Sequence, residues 1–300
     1  MDGGARDRPA VAYALLTVAS LSWASVFVLG RGTHETIPPM ALTVLRHVVS
    51  ILVLLPFAWR PLRAQWRLLV ASWRWIVVLG IMAIGLFPAL LLLALARTTA
   101  LNGSLINAVQ PVMTLALAFV ICREPISWRL GLGFGASLAG VLIIVARGDL
   151  AALGGATFNV GDLIIVHCLL LWSLYSVALR HIPAGLHPTV LVLAVIATGL
   201  PFSVPFFVIE AASGRLPSAN WPTLATIVYF GVFPSALALL CWNRGVTALG
   251  PNRSGVFIHL IPVFGAAMAI GFLGETPRPY HGVGMIVVVA GVALATTTRK

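Results

Sequence analysis

A chain of 300 residues that is 60% hydrophobic and only 9% charged is not a soluble domain, where roughly 25% of residues carry charge. Its formal net charge of +11 fits basic residues scattered over the loops of a membrane protein better than a nucleic-acid surface. The apolar stretches are continuous rather than alternating, which excludes a membrane β-barrel.

Ten apolar spans follow one another along the chain, at 10–30, 38–59, 75–96, 101–122, 128–147, 161–180, 187–209, 222–243, 253–273 and 279–298. Each is long enough to cross a bilayer as a helix. The breaks between them are rich in charge, Pro and Gly, as in RGTHETIPP, WRPLRAQWR, CREPISWR and GETPRPYHG. The N-terminal run, from about Pro9 to Gly30, is too long for a signal-peptide core and reads as an uncleaved first span. Cys122, Cys168 and Cys241 lie in or beside apolar runs and behave as small hydrophobes rather than disulfide halves. No Cys/His spacing suggests zinc, so neither metal nor cofactor is expected. A Gly-x-x-x-x-Gly-Lys-Ser/Thr loop is absent, which excludes ATP-driven transport by this chain alone.

The two halves match each other. At an offset of 149, Trp23 falls on Trp172, Pro39 on Pro188, Pro56 on Pro205 and Phe57 on Phe206. At 146, Gly85-Leu86-Phe87-Pro88 falls on Gly231-Val232-Phe233-Pro234. At 151, Pro111 falls on Pro262, Glu124 on Glu275, Gly133 on Gly284 and Gly140 on Gly291. The expected organisation is a tail at 1–9, one five-helix repeat at 10–147, a linker at 148–160 and a second repeat at 161–298. An odd number of spans per repeat inverts the second copy. With the N-terminus inside, the inner segments hold Arg6, Arg8, Arg60, Arg63, Arg67, Arg74, Arg123, Arg129, Arg180, Arg244, Arg253, Arg299 and Lys300. The outer ones hold only Arg31, Arg97, Arg147, Arg215 and Arg278. Both termini are therefore expected in the cytoplasm, and the protein in the bacterial inner membrane as a multi-pass chain. Inverted repeats of this kind are typical of secondary transporters with a site near the bilayer midplane.

The tandem units resemble the drug/metabolite transporter superfamily, in particular its ten-helix, EamA-type members. The residues that carry the resemblance are an early Trp in each half (Trp23, Trp172), a Pro within the fourth helix (Pro111, Pro262), an acidic residue closing that helix (Glu124, Glu275) and a Gly-rich fifth helix. The first half has Arg123-Glu124 where the second has the more family-like Gly274-Glu275. The resemblance covers nearly the whole chain. It implies an all-α polytopic fold of ten transmembrane helices, two inverted five-helix repeats around a central cavity. It also implies export of small metabolites, with bacterial exporters of aromatic and other neutral amino acids as the nearest kind. A multidrug, nucleoside or other metabolite exporter of the same fold is the alternative.

Polar groups in a span face a cavity or another helix. Asn107 and Gln110, three apart, share a helix face and suit either a solute's amino and carboxylate groups or helix–helix contact. Trp23 with Phe27, and Trp172 with Tyr175, form aromatic pairs on their helices. They read as packing or as the lining of a site for an apolar or cationic side chain. His167 and His259 are the available proton carriers if transport is proton-coupled; His47 is the third histidine within a span. Arg46, a third of the way into its span, is either structural or acts in gating or in attracting a carboxylate. Pro88, Pro111, Pro234 and Pro262 free backbone carbonyls and read as kinks or hinges. Those carbonyls need partners, so a wet cavity is expected nearby.

All eight acidic residues fall at helix ends or in loops. This disfavours a lipophilic-cation pump and favours a neutral or zwitterionic solute. Glu124 and Glu275 read as helix-end caps. An intramembrane enzyme built on Ser254 and His259, or a haem protein built on His pairs, is the remote alternative. The expected partners are the solute and the lipid bilayer, with no nucleic acid and a monomer as the working unit, a homodimer being the alternative.

Overall fold

The computed structural model describes residues 9–30, 37–95, 97–98, 103, 106–149, 159–274 and 276–297. These residues are helical with short connections, and no strand occurs among them. Nine of the helices are long and apolar enough to cross a membrane, and a tenth, Gln110–Cys122, is shorter. We number the spans in chain order: α1 (Pro9–Gly30), α2 (Pro39–Ala64), α3 (73–95), α4 (Gln110–Cys122), α5 (Trp128–Val145), α6 (Val160–His181), α7 (Pro188–Ala212), α8 (Trp221–Leu249), α9 (251–273) and α10 (Pro279–Thr296). A short helix, Trp66–Ala71, bridges α2 and α3.

Local sequence explains where these helices start and stop. Proline opens α2, α4, α7, α9 and α10, where its missing N–H costs nothing. Asn159 and Asp162 form a capping box at the start of α6, and Asn220 caps α8 through the Thr223 N–H. The start of α2 has no side-chain cap of its own. Glu210, at the end of α7, supplies one by accepting the Ala41 N–H at 2.8 Å. α4 and α9 both end on a left-handed residue, Arg123 (φ 54) and Gly274 (φ 67). The Arg-for-Gly departure seen in sequence is thus a non-glycine residue in a glycine conformation. α8 continues well past the 243 expected from hydropathy, because Trp242-Asn243-Arg244-Gly245 keeps a helical path and buries Trp242 and Asn243.

The packing is almost entirely between halves. α1 lies against α8 and α9, and α6 lies in the corresponding way against α3 and α4. α2 packs on α8, and α7 on α3. The remaining main pairs, α2 with α7 and α5 with α10, join equivalent helices. This is the contact pattern of a two-fold axis relating two copies of one unit, with α2·α7 and α5·α10 on the axis. The Tyr13 hydroxyl donates to the Thr296 carbonyl at 2.9 Å, which puts the beginning of α1 and the end of α10 on one face. That face also carries exposed Trp59, Trp66, Trp73 and Trp128, three of them under Arg63, Arg74 and Arg129. Such an aromatic and basic belt suits a lipid headgroup layer.

Candidate solute site between the two halves

The indoles of Trp23 and Trp172 meet edge to face with ring centroids 5.1 Å apart. They are equivalent residues of the two repeats. Equivalent residues touch only on the axis that relates them, and in an inverted repeat this axis lies at mid-depth. The contact therefore marks the centre of the molecule. Trp242 (5.4 Å from Trp23) and Phe87 (5.7 Å from Trp172) complete an aromatic cluster with Tyr175. Trp23, Trp172 and Phe87 keep part of their surface open, whereas Tyr175 and Trp242 are fully buried. Tyr175 donates to Asn243 Oδ1 at 2.7 Å, and Trp242 Nε1 to Ser176 Oγ at 3.3 Å. These two residues hold the cluster from behind.

A hydroxyl pair, Thr114 with Ser173 at 2.9 Å, ties α4 to α6 beside Trp172. Gln110, one turn from Thr114, sits at the start of α4, and half-buried Asn107 lies in the single helical turn that precedes it. Among the described residues the Asn107 amide has no hydrogen-bond partner. The Phe27 side chain lies outside the described residues, as does Glu275.

Two of the sequence-derived candidates stand apart from this cluster. His167 is exposed, on the same stripe of α6 as Val160 and Leu163, and its Nδ1 lies 2.8 Å from its own helix at the Leu163 carbonyl. That stripe points away from Trp172, since five residues turn a helix by roughly 140°. His259 is buried, with Nε2 3.0 Å from the Ala108 carbonyl and Nδ1 2.6 Å from Ser137 Oγ. A carbonyl only accepts, so Nε2 carries the proton. The ring is a bridge between α9, α5 and the turn before α4. Ala108 is its repeat equivalent, so this contact also lies on the axis. Neither of these candidate proton carriers faces the cluster: one looks outward and the other is held in packing.

The prolines are placed at irregular turns, in two matched ways. α3 and α8 pass through π-helical segments, Ile81–Leu86 just before Pro88 and Gly231–Leu237 around Pro234. Before Pro111 the chain makes a tight turn, with the Val109 N–H bonded to the Ile106 carbonyl. Before Pro262 it runs as a 3-10 helix, Val256–His259. Pro111 thus sits at the first turn of α4 rather than within it. Such departures from α geometry mark bends with identifiable causes. The carbonyls they free are not left to water. Ser203 Oγ donates to the Ile84 carbonyl at 2.6 Å, Ser50 Oγ to that of Gly231 at 2.8 Å and Ser235 Oγ to that of Phe230 at 2.8 Å. The Trp23 indole N–H donates to the Pro234 carbonyl at 3.0 Å. At Pro88 and Pro234 the wet cavity inferred from the prolines is therefore not required: protein side chains, most of them from the opposite repeat, satisfy the freed groups.

Trp242, Asn243 and Phe87 were missed in the sequence. Trp242 and Asn243 fall at the edge of the expected span and have no aromatic or amide counterpart at the matching offset. Phe87 was visible only as part of the Gly-Leu-Phe-Pro match. A groove of about 500 Å³ along Pro217–Ile227 involves none of the cluster residues.

Comparison with known proteins agrees with this architecture. The model of the EamA-like transporter family matches residues 10–146 and again 159–297. The uncharacterized transporter YyaM of Bacillus subtilis is 30% identical over 73% of this chain and 72% of its own length. An uncharacterized transporter of Archaeoglobus fulgidus is 27% identical over 95% and 97%. A probable terminal-alkyne amino-acid exporter of Streptantibioticus cattleyicolor is 26% identical over 64% and 63%. A crystal structure superposes with a TM-score of 0.77 at 20% identity, covering 95% of this chain and 96% of the other, which shows the shared fold. With both halves matched, the chain belongs to the EamA-like transporter family: it is a multi-pass membrane transporter and not an enzyme.

Proposed function

We propose that this transporter exports small neutral or zwitterionic metabolites, amino acids with aromatic side chains among them, by alternating access across a bacterial inner membrane. The observation that carries the reading is the half-open Trp23–Trp172 pair on the two-fold axis. A flat apolar side chain can lie against these rings, while the free Asn107 amide offers hydrogen bonds to a polar end. The name of the Streptantibioticus relative supports amino acids as the class. The excess of arginine on the face that carries the termini supports a cytoplasmic location for that face. Buried Asp162 and Glu210 accept backbone N–H groups at helix starts through Oδ2 and Oε2, and His167 and His259 stand outside the cluster. That arrangement favours facilitated efflux or exchange over proton coupling.

The two repeats rock about the shared axis, and the irregular turns of α3 and α8 bend as one end closes and the other opens. Counterflow in proteoliposomes over amino acids, nucleosides and cationic drugs, with and without a pH gradient, tests the reading. Saturable traffic of neutral amino acids that falls at least tenfold in Trp172→Ala is the expected result. Traffic confined to nucleosides or drugs would remove the amino-acid assignment, and undiminished traffic in Trp172→Ala would remove the site.

A further inference from the structure

We infer that Arg46 is the carboxylate-binding residue of the solute site, which makes the preferred substrate class one with a free carboxylate. This deepens the proposed function and rests on it. Arg46 lies seven residues into α2, roughly 10 Å from the helix start at 1.5 Å per residue. Its Nε is buried without a hydrogen-bond partner, and among the described residues no side chain or carbonyl accepts from its guanidinium. Of the acidic residues nearest to span interiors, Asp162 Oδ2 accepts the Asn159 N–H at 2.9 Å and Glu210 Oε2 the Ala41 N–H at 2.8 Å, both at helix starts, while Glu210 Oε1 is buried without a partner. A cation in a low-dielectric span without a counter-ion is costly, and a bound anion removes that cost.

Arg46 does not share the exposed stripe at its own depth in α2. Val48, Leu52 and Leu55 form the exposed stripe of α2. Arg46 lies roughly 160° around the helix from that stripe, in line with Leu42, Val49 and Val53. All four are only partly buried. The backbone of Arg46 is also fixed next to the aromatic cluster. Ser50 Oγ lies 2.9 Å from the Arg46 carbonyl and 2.8 Å from that of Gly231. A Cβ on Gly231 would come within 2.7 Å of the Arg46 carbonyl. Arg46 is thus seated on the same irregular segment of α8 whose Pro234 carbonyl holds Trp23, about one helical turn away. Its repeat equivalent is Val195, which is buried. One half alone supplies the charge, so a zwitterion would bind in a single orientation, carboxylate toward Arg46 and side chain toward the tryptophans.

The test compares phenylalanine, phenylalaninamide and phenethylamine in proteoliposome counterflow, for wild type, Arg46→Gln and Arg46→Lys. Wild type should favour the carboxylate over the carboxamide by about tenfold or more. Arg46→Gln should bring the ratio to about one, and Arg46→Lys should restore part of it. A wild-type preference that survives in Arg46→Gln overturns the role of Arg46 and leaves the exporter reading intact. Wild-type flux of the carboxamide and amine without the carboxylate does the same. No flux of any member overturns both. Should the variants not fold, phenylglyoxal labelling of the wild type gives the answer. Protection of Arg46 by phenylalanine but not by phenylalaninamide supports the assignment, and equal labelling under both overturns it.

Discussion

The seam between α5 and α10 and the irregular segments of α3 and α8 show opposite uses of the same small residues. In the seam, Gly133 and Gly140 meet Gly291 and Gly284 so closely that a Cβ on Gly133 would lie 2.6 Å from both the Gly291 carbonyl oxygen and the Ala295 nitrogen. Both helices stay α-helical throughout. In α3 and α8, by contrast, proline and glycine interrupt the regular ladder, and serine hydroxyls from α7 and α2 take up the released carbonyls. One pair is locked by backbone contact. The other is bent, and beside a close approach of its own at Gly231 it is held by side-chain hydrogen bonds to the released carbonyls. The difference supports the proposed rocking, with the seam as its frame and the π-helical segments as the parts that bend.

The largest expected effect falls on the seam. Gly133→Ala should cost about 3 kcal/mol or more, because the obstacle is backbone that cannot yield, and should appear as loss of monodisperse protein. Gly131→Ala, two residues away with nothing within 4 Å of its Cβ, should melt like wild type. If both melt alike, the seam is not a rigid contact. Next comes Ser203→Ala, which leaves the Ile84 carbonyl without its donor and should cost about 1–2 kcal/mol in thermal unfolding. Pro88→Ala returns an N–H to that region, so the Ser203→Ala loss should shrink in the double variant; an undiminished loss would mean that proline is not what frees the carbonyl.

Smaller again is Arg123→Gly. It relieves a left-handed non-glycine residue and should raise stability by about 0.5–1 kcal/mol. The smallest effect concerns Glu124 beside it. Burial pushes this carboxyl above its ordinary value, while the Asn252 N–H, Arg180 and Arg253 pull it back. A raised carboxyl contributes stability below its unfolded value that is lost as pH rises through the folded one. Glu124→Gln should therefore flatten a shallow decline in melting temperature with rising pH above the ordinary carboxylate range. A steeper decline in the variant would reverse the assignment.

Much of the fold was legible because the physics of a span is local. Twenty apolar residues specify a membrane helix whatever surrounds them, and the inverted order follows from an odd number of spans. Trp23 and Trp172 were legible as a symmetric pair because the repeat preserves them. Trp242 and Asn243 were not, since the repeat has no copy of them and they extend a helix past its hydropathic end. The placement of His167 and His259 was not legible for a related reason. Depth along a span can be counted from sequence, but azimuth depends on which neighbour the helix packs against. For His259 the decisive facts are the Ala108 carbonyl and Ser137, both far away in the chain.

The sequence by itself determined the helices, their number and order, the duplication and the placement of proline and glycine at the bends, because each depends on residues close together along the chain. Only the tertiary structure decided which face of each helix looks inward. It brought Trp23 onto the Pro234 carbonyl, left Arg46 Nε without a partner among the described residues and joined the halves through α5 and α10. Those outcomes arise from packing between the two repeats, where every partner lies roughly half a chain away.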